Sequence, residues 1–202
     1  MAIADPPVRR RKNGRSEQSV RKLLDAAVAT LTESTYGDMT VRAVAARAAV
    51  SPTTAYTYFP SKDALIAETY LRLLRDAPTF VDVNDSAVTR VKAQLRELVL
   101  LVADKPYLAD ACTAALMAED DVVNNVRVQI ATEIGRRIAA SLGPGHAPEL
   151  ASTLHMVFSG ATMHARSAAG GYRQIADQLD KAVLIIMNSA LAAGNDSSGE
   201  VR

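Results

Sequence analysis

The chain has 202 residues, with 23 Lys and Arg against 22 Asp and Glu, three His, one Cys and 49% hydrophobic residues. That apolar fraction suffices for a buried core and excludes wholesale disorder, and a single cysteine excludes a disulfide framework. Trp is absent and aromatics reach only 4%, while Ala and Leu are abundant, a composition that predicts an all-α protein.

No apolar run approaches the roughly 20 residues that span a bilayer; a stretch such as 182–187 is ended by Asn188. The basic run Arg9, Arg10, Arg11 and Lys12 is not followed by an apolar segment, so it does not read as a secretory signal. With one Cys and no export signal, the expected location is the cytoplasm. The charge is unevenly spread: residues 1–62 carry ten basic and five acidic side chains, and the other 140 carry 13 and 17. A basic N-terminal third on an acidic body is the footprint of a polyanion-binding unit joined to a larger partner domain. Seven of the basic residues fall in 9–22, so charge alone does not separate that reading from a solubilising tail.

Residues 1–15 read as a disordered basic arm, with two prolines, the basic run and Asn13-Gly14. Helical signal starts at Ser16, and Val20, Leu23, Leu24, Ala27, Val28 and Leu31 share one face of a first helix. Tyr36-Gly37-Asp38 reads as its stop, with Gly37 free to take a left-handed conformation. Thr40 caps a second, short helix whose buried stripe is Val41, Val44, Ala45 and Ala48. Ser51 then caps a third, 52–59, with Pro52 at a first position where its missing amide hydrogen costs nothing. Pro60 ends it, Ser61 caps again, and a fourth helix follows over about 62–75. Further helices are predicted at about 86–102, 106–117, 120–142, 148–169 and 172–192, punctuated by Gly143-Pro144-Gly145 and Gly170-Gly171. That gives about nine helices, with a flexible tail over 195–202.

Residues 40–59 form helix, turn and helix, the spacing of a helix-turn-helix. The face left exposed on the second of these helices is Pro52, Thr53, Thr54, Tyr56, Thr57 and Tyr58, small or hydroxyl-bearing and without an acidic group. Such a face suits a major groove. These residues resemble the TetR family of bacterial transcriptional regulators over about 19–66. The resemblance rests on Leu23, Ala26 and Ala27, on Thr40-Val41-Arg42-Ala43-Val44-Ala45, on Val50-Ser51, and on Tyr56-Thr57-Tyr58-Phe59-Pro60-Ser61-Lys62 with Leu65.

The resemblance implies a DNA-binding domain over 16–62, joined by the fourth helix to a ligand-binding and dimerisation domain over 63–194. It implies that Thr40 bonds a phosphate and that Arg42 reaches a base edge, guanine being the favoured partner. Pro52 and Thr53 would face bases, and Ser51, Thr54, Tyr56, Thr57, Tyr58 and Lys62 would mostly hold phosphates. Three positions depart from the family pattern: Ala49 and Thr53 stand where Gly is usual or frequent, and Ala55 where Leu is common. The turn at Ala49 must therefore tolerate a Cβ. The basic arm can reach a minor groove or phosphates, or simply be solvated; Arg47 reads as a surface charge.

In the larger domain, small residues on the last two helices (Ser159, Gly160, Ala161 and Ala165; Ser189 and Ala190) favour close approach, and the resemblance pairs these helices with their copies in a homodimer. The candidate effector pocket is Leu101, Tyr107, Cys112, Leu116, Met117, His155 and Phe158, suited to a small hydrophobic or amphipathic ligand. An enzyme finds little support: Cys112 stands alone, His155 and His164 are nine apart without a carboxylate at ligand spacing, and no phosphate loop, dinucleotide fingerprint or nucleophile elbow occurs. No cofactor or metal is expected. The expectation is a sequence-specific repressor released from a palindromic operator by its effector; an architectural DNA binder is the alternative, a helical enzyme a more remote one.

Overall fold

The computed structural model describes residues 7–165 and 171–197, and the described residues form helices joined by turns, with no strand among them. The order is α1 (Pro7–Glu33), α2 (Val41–Arg47), α3 (Pro52–Tyr58), α4 (Lys62–Asp76), α5 (Ala87–Leu100), α6 (Pro106–Leu116), α7 (Asp121–Leu142), α8 (Pro148–Ala165) and α9 (Gly171–Ser197). The all-α expectation and its helix order hold. Among the described residues, no helix is long and apolar enough to cross a membrane.

Several boundaries move. The segment expected to be a disordered arm is helical from Pro7: Pro suits a first helical position and Arg and Lys are strong helix formers, so the basic run extends the helix backwards from its buried turns. Residues 1–6 of that arm lie outside the described residues, as do 166–170 at the end of the predicted eighth helix and 198–202 of the predicted tail. The three tail residues 195–197 continue α9. Gly37 is not in the left-handed region. The chain leaves α1 through polar side chains instead: Ser34 donates both its amide and its hydroxyl to the Thr30 carbonyl, each at 2.9 Å, and Thr35 Oγ1 donates to Asp38 at 2.6 Å.

Contacts divide the chain into two compact units. The first comprises the described residues up to Leu71 together with Lys105–Arg127, so residues 63–71 and α6 group with the N-terminal helices rather than with the C-terminal ones. α1 lies against α2, α3 and α6, and its face Leu23, Ala27 and Leu31 is fully buried with Val44, Ala45, Leu65 and Ile66. α6 adds Leu108, Ala111 and Ala115 to that core. Its C-terminal end is fixed by Arg127, whose Nη1 donates to the Leu116 carbonyl at 2.8 Å.

The second unit is Arg72–Asp104 together with Val128 onward. α9 packs against α5 and α8, and the core is built from Val91, Leu95 and Leu98, from Ile134 and Ile138, from Leu154 and Phe158, and from Ile175, Leu179 and Val183. Ser86 caps α5 by accepting from the Thr89 amide at 3.1 Å. Gly143, with φ of 86°, closes α7 in the left-handed conformation.

Candidate nucleic-acid interface

The interface is built by three local devices. Thr40 stands outside α2 in extended conformation and its Oγ1 accepts from the Ala43 amide at 3.1 Å, which starts the helix where the sequence places it. At the other end, the Val50 amide donates to the Ala45 carbonyl at 2.9 Å and the Ala49 amide to the Ala46 carbonyl at 3.1 Å. That pair of bonds is a Schellman closure, and it puts Ala49 at φ 52°, the one non-glycine at positive φ among the described residues. Ser51 then caps α3, accepting from the Thr54 amide at 3.1 Å and sharing a hydroxyl bond with Thr54 at 2.7 Å. The turn therefore does carry a Cβ in a conformation that favours glycine.

Below these caps, Val44 and Ala45 of α2, Ala55 of α3 and Phe59 at the α3 C-cap are buried. Ala55 has no exposed surface at all, so the small side chain is what lets α3 sit close. Above them, Thr40, Arg42, Ser51, Pro52, Thr53, Tyr56 and Thr57 are exposed, and Thr54, Tyr58 and Lys62 are half-buried. Neither α2 nor α3 contains an acidic residue. The capping oxygens of Thr40 and Ser51 accept inward, from backbone amides, which leaves the Thr40 O–H and one O–H of the Ser51–Thr54 pair for an external acceptor such as a phosphate. Arg42 makes no ion pair among the described residues.

Tyr58 and Lys62 also work inside the fold. Tyr58 donates to Ser16 Oγ at 2.8 Å, tying the end of α3 to α1 across 42 residues. Lys62 Nζ donates to the Tyr36 carbonyl at 3.1 Å and sits 3.9 Å from the centroid of the Tyr36 ring. Tyr36 in turn donates to Asp63, and burial, then that carboxylate, push its hydroxyl up to about 12. The clasp fixes the start of α4 beside the interface. Arg47 is more than a solvated charge: it makes a two-pronged bond to Glu33 at 2.9 and 2.8 Å, pinning the end of α2 to the end of α1. Partners 14 residues apart on separate helices leave no local signal in the sequence.

The candidate effector residues divide between the units. Tyr107, Cys112 and Leu116 belong to α6 and Met117 is its C-cap, in the first unit; Leu101 is the C-cap of α5, and His155 and Phe158 lie on α8, in the second. Cys112 and Phe158 are buried, Leu101, Leu116 and His155 half-buried, and Tyr107 and Met117 exposed. Burial alone pushes the Cys112 thiol up to about 12, which keeps it protonated and unreactive near neutrality. Burial also lowers His155 from its ordinary value, favouring the neutral imidazole. No group of three or more metal-ligating side chains occurs among the described residues.

The sequence profile of "Bacterial regulatory proteins, tetR family" matches residues 23–69, the stretch that carries this interface. An uncharacterized HTH-type transcriptional regulator of Mycobacterium tuberculosis is 49% identical over 181 residues, 89% of this chain and 85% of its own. The chain belongs to the TetR family. A TetR transcriptional regulator from Rhodococcus sp. RHA1 shares the TetR fold at a TM-score of 0.70 and 18% identity, over 82% of this chain and 95% of its own. SmeT, solved as a complex with triclosan, shares it at 0.53 and 19%, over 87% and 90%. This chain is a transcriptional regulator of the TetR family, and its DNA-binding part is the helix-turn-helix just described.

Proposed function

We propose that this regulator is a homodimeric repressor that holds a near-palindromic operator and is released from it by a small hydrophobic effector in the cytoplasm. The observation that carries the reading is the surface of α3: an exposed, hydroxyl-rich, acid-free face, fixed from behind by the buried Ala55 and at its two ends by Ser51 and the Tyr58 to Ser16 bond. On it, Pro52 and Thr53 meet bases, where their carbons suit thymine methyls, and Arg42 addresses a guanine edge. Thr40, Ser51, Thr54, Tyr56, Thr57 and Lys62 hold phosphates and set register, while Tyr58, whose one O–H is spent on Ser16, holds the end of α3 behind them.

Dimerisation through α8 and α9 is supported by their surface. Met156 and Met163 on α8 and Leu184 and Ile185 on α9 are exposed apolar side chains. An apolar groove between the two helices is lined by Val157, Ala161, Ile175 and Leu179, among others. Soluble proteins rarely leave such an area uncovered. A twofold dimer places two α3 helices about 34 to 36 Å apart, one turn of DNA, which is why the operator is read as a palindrome. A hydrophobic effector fits the candidates that share the second unit, Leu101, His155 and Phe158, apolar apart from one imidazole that burial favours as neutral; triclosan, held by SmeT, belongs to that chemical class.

The test is fluorescence anisotropy of the purified protein on DNA from upstream of its own gene and on scrambled DNA, at physiological salt. Binding of order 10⁻⁸ M confined to the native sequence is expected. Equal binding to both, with a steep salt dependence, is the signature of an architectural binder and overturns the reading.

A further inference from the structure

α1 begins well before the turns that the first unit buries. It is one helix from Pro7 to Glu33, whereas the apolar side chains that anchor it start at Leu23. Between Pro7 and Ser16 the sequence places Arg9, Arg10, Arg11, Lys12 and Arg15 and no acidic residue. Like charges three or four positions apart on a helix repel, and the pairs 9 and 12, 11 and 15, and 12 and 15 have that spacing. Arg15 is exposed and makes no ion pair among the described residues. This stretch of chain supplies no counter-charge of its own, and a polyanion supplies it.

Ser16 gives the stretch a direction. It is half-buried, and its Oγ accepts the Tyr58 hydroxyl at 2.8 Å, so α1 meets the last residue of α3 through its Ser16 face. The same face continues through Val20 to Leu23, which is fully buried. Ser16 keeps its own O–H, which has no acceptor among the described residues. A hydroxyl that accepts one hydrogen bond donates a stronger one. Towards the start of the helix, the positions on the Ser16 face are Lys12, four residues back, and Arg9, seven back. They stand about 6 and 10 Å further along the axis, at 1.5 Å per residue. Arg10 and Arg11 fall on the other side of the helix.

We propose that α1 carries a second phosphate-binding element, in which Ser16, Lys12 and Arg9, one stripe of the helix, hold the DNA backbone beside the Tyr58 end of α3. The proposal rests on the operator-binding reading above. The element lies outside the helix-turn-helix and touches no base, so it adds affinity while α3 reads the sequence. A run of charges that only solubilises the chain has no preferred face, and that difference is what the experiment reads.

The test compares wild type with two charge-matched pairs: Arg9→Gln with Lys12→Gln on the stripe, and Arg10→Gln with Arg11→Gln opposite it. Glutamine is a helix former of similar strength to arginine and lysine, and circular dichroism checks that the helix content is kept. Anisotropy on operator DNA reads affinity against salt, and the same duplex carrying neutral methylphosphonates one at a time reads individual phosphates. The stripe pair is expected to lower the salt slope by about two and to weaken operator and scrambled DNA equally. It should also become insensitive to methylphosphonate at about two positions where wild type is sensitive. The opposite pair keeps the wild-type slope and the wild-type pattern. Ser16→Ala keeps the slope, since no charge is lost, but loses sensitivity at one neighbouring phosphate, and Ser16→Thr, which retains the hydroxyl, restores it.

Equal slope losses in the two pairs mean a diffuse cationic run and overturn the element, as does a stripe pair with the wild-type slope; in both cases the operator-binding reading stands. A wild type that prefers no upstream or genomic DNA fragment over scrambled DNA overturns that reading, and with it the proposal.

Discussion

In the first unit, the polar side chains that start the helices of the interface sit three residues from the amides they bond: Thr40 on Ala43, Ser51 on Thr54, Ser61 on Ala64. In the second, backbone carbonyls at the ends of α4 and α7 and in the segment after α4 are held from far away. Gln94 reaches Pro78 across 16 residues, Arg137 reaches Arg75 across 62, and Arg90 reaches Ser141 across 51. The first arrangement costs little chain entropy and is written in short motifs; the second exists only once the helices have packed. The lesson is physical. The starts of the interface helices can be set by local rules, whereas the second unit relies on buried polar side chains whose partners lie far away in the chain.

Acid is the sharpest way to separate the two units. Glu133 is held down to about 2 by its hydrogen bond to Arg136, then that to Arg137 and their charges, against an ordinary value of 4.5. The folded carboxyl is thus the stronger acid, and on lowering the pH the unfolded chain takes up the proton first. The contribution is complete above about pH 4.5 and is lost as pH falls towards 2. At about 1.36 kcal/mol per pH unit it is on the order of 3 kcal/mol. Urea unfolding of wild type and Glu133→Gln from neutral pH down to about pH 2 should give a stability difference that is largest at neutral pH and closes on acidification. A difference that does not change with pH breaks the assignment of this carboxylate.

A smaller effect is expected in the first unit, and on affinity rather than on stability. Arg42 is exposed and makes no ion pair among the described residues. Arg42→Ala should therefore leave the melting temperature unchanged while weakening operator binding by about 1 to 3 kcal/mol and relaxing the preference at one base pair. Uniform weakening on every sequence, with a salt slope reduced by about one, would instead make Arg42 a phosphate contact.

Much of the interface was legible because capping and turn chemistry act over three or four residues. Thr40, Ser51, Pro52 and Ser61 announce helix starts, and the 3.6-residue period of Leu23, Ala27 and Leu31 announces the buried face. What escaped is what depends on a second helix. The Arg47 to Glu33 pair looks like two surface charges in the sequence, and Tyr58 gives no sign of Ser16 42 residues away. The start of α1 was missed for a different reason: Asn13-Gly14 argues for a break, and it is overridden by a helix that continues through it. In the second unit, helices follow from periodicity, but a run such as Arg136-Arg137 cannot tell which guanidinium is exposed and which is buried among carbonyls.

The smallest effect tests the one place where the local rules of the first unit are broken. Ala49 closes α2 at φ 52°, a conformation in which an L side chain crowds its own carbonyl and glycine does not. Glycine also gives the unfolded chain more freedom, which works against it. At a positive φ the relief of strain outweighs that freedom, so Ala49→Gly should raise the stability of the first unit by about 0.5 to 1 kcal/mol in urea unfolding. The turn bonds of Val50 and Ala49 to the Ala45 and Ala46 carbonyls stay in place, so α3 keeps its position and operator affinity should not change. A loss of stability means that the turn relaxes without cost around alanine, and that the Cβ of Ala49 contributes packing to the turn. A gain accompanied by weaker operator binding carries a different message: the strain at Ala49 would then be part of how α3 is held for the groove, and the reading head would share with the second unit a dependence on something other than local chemistry.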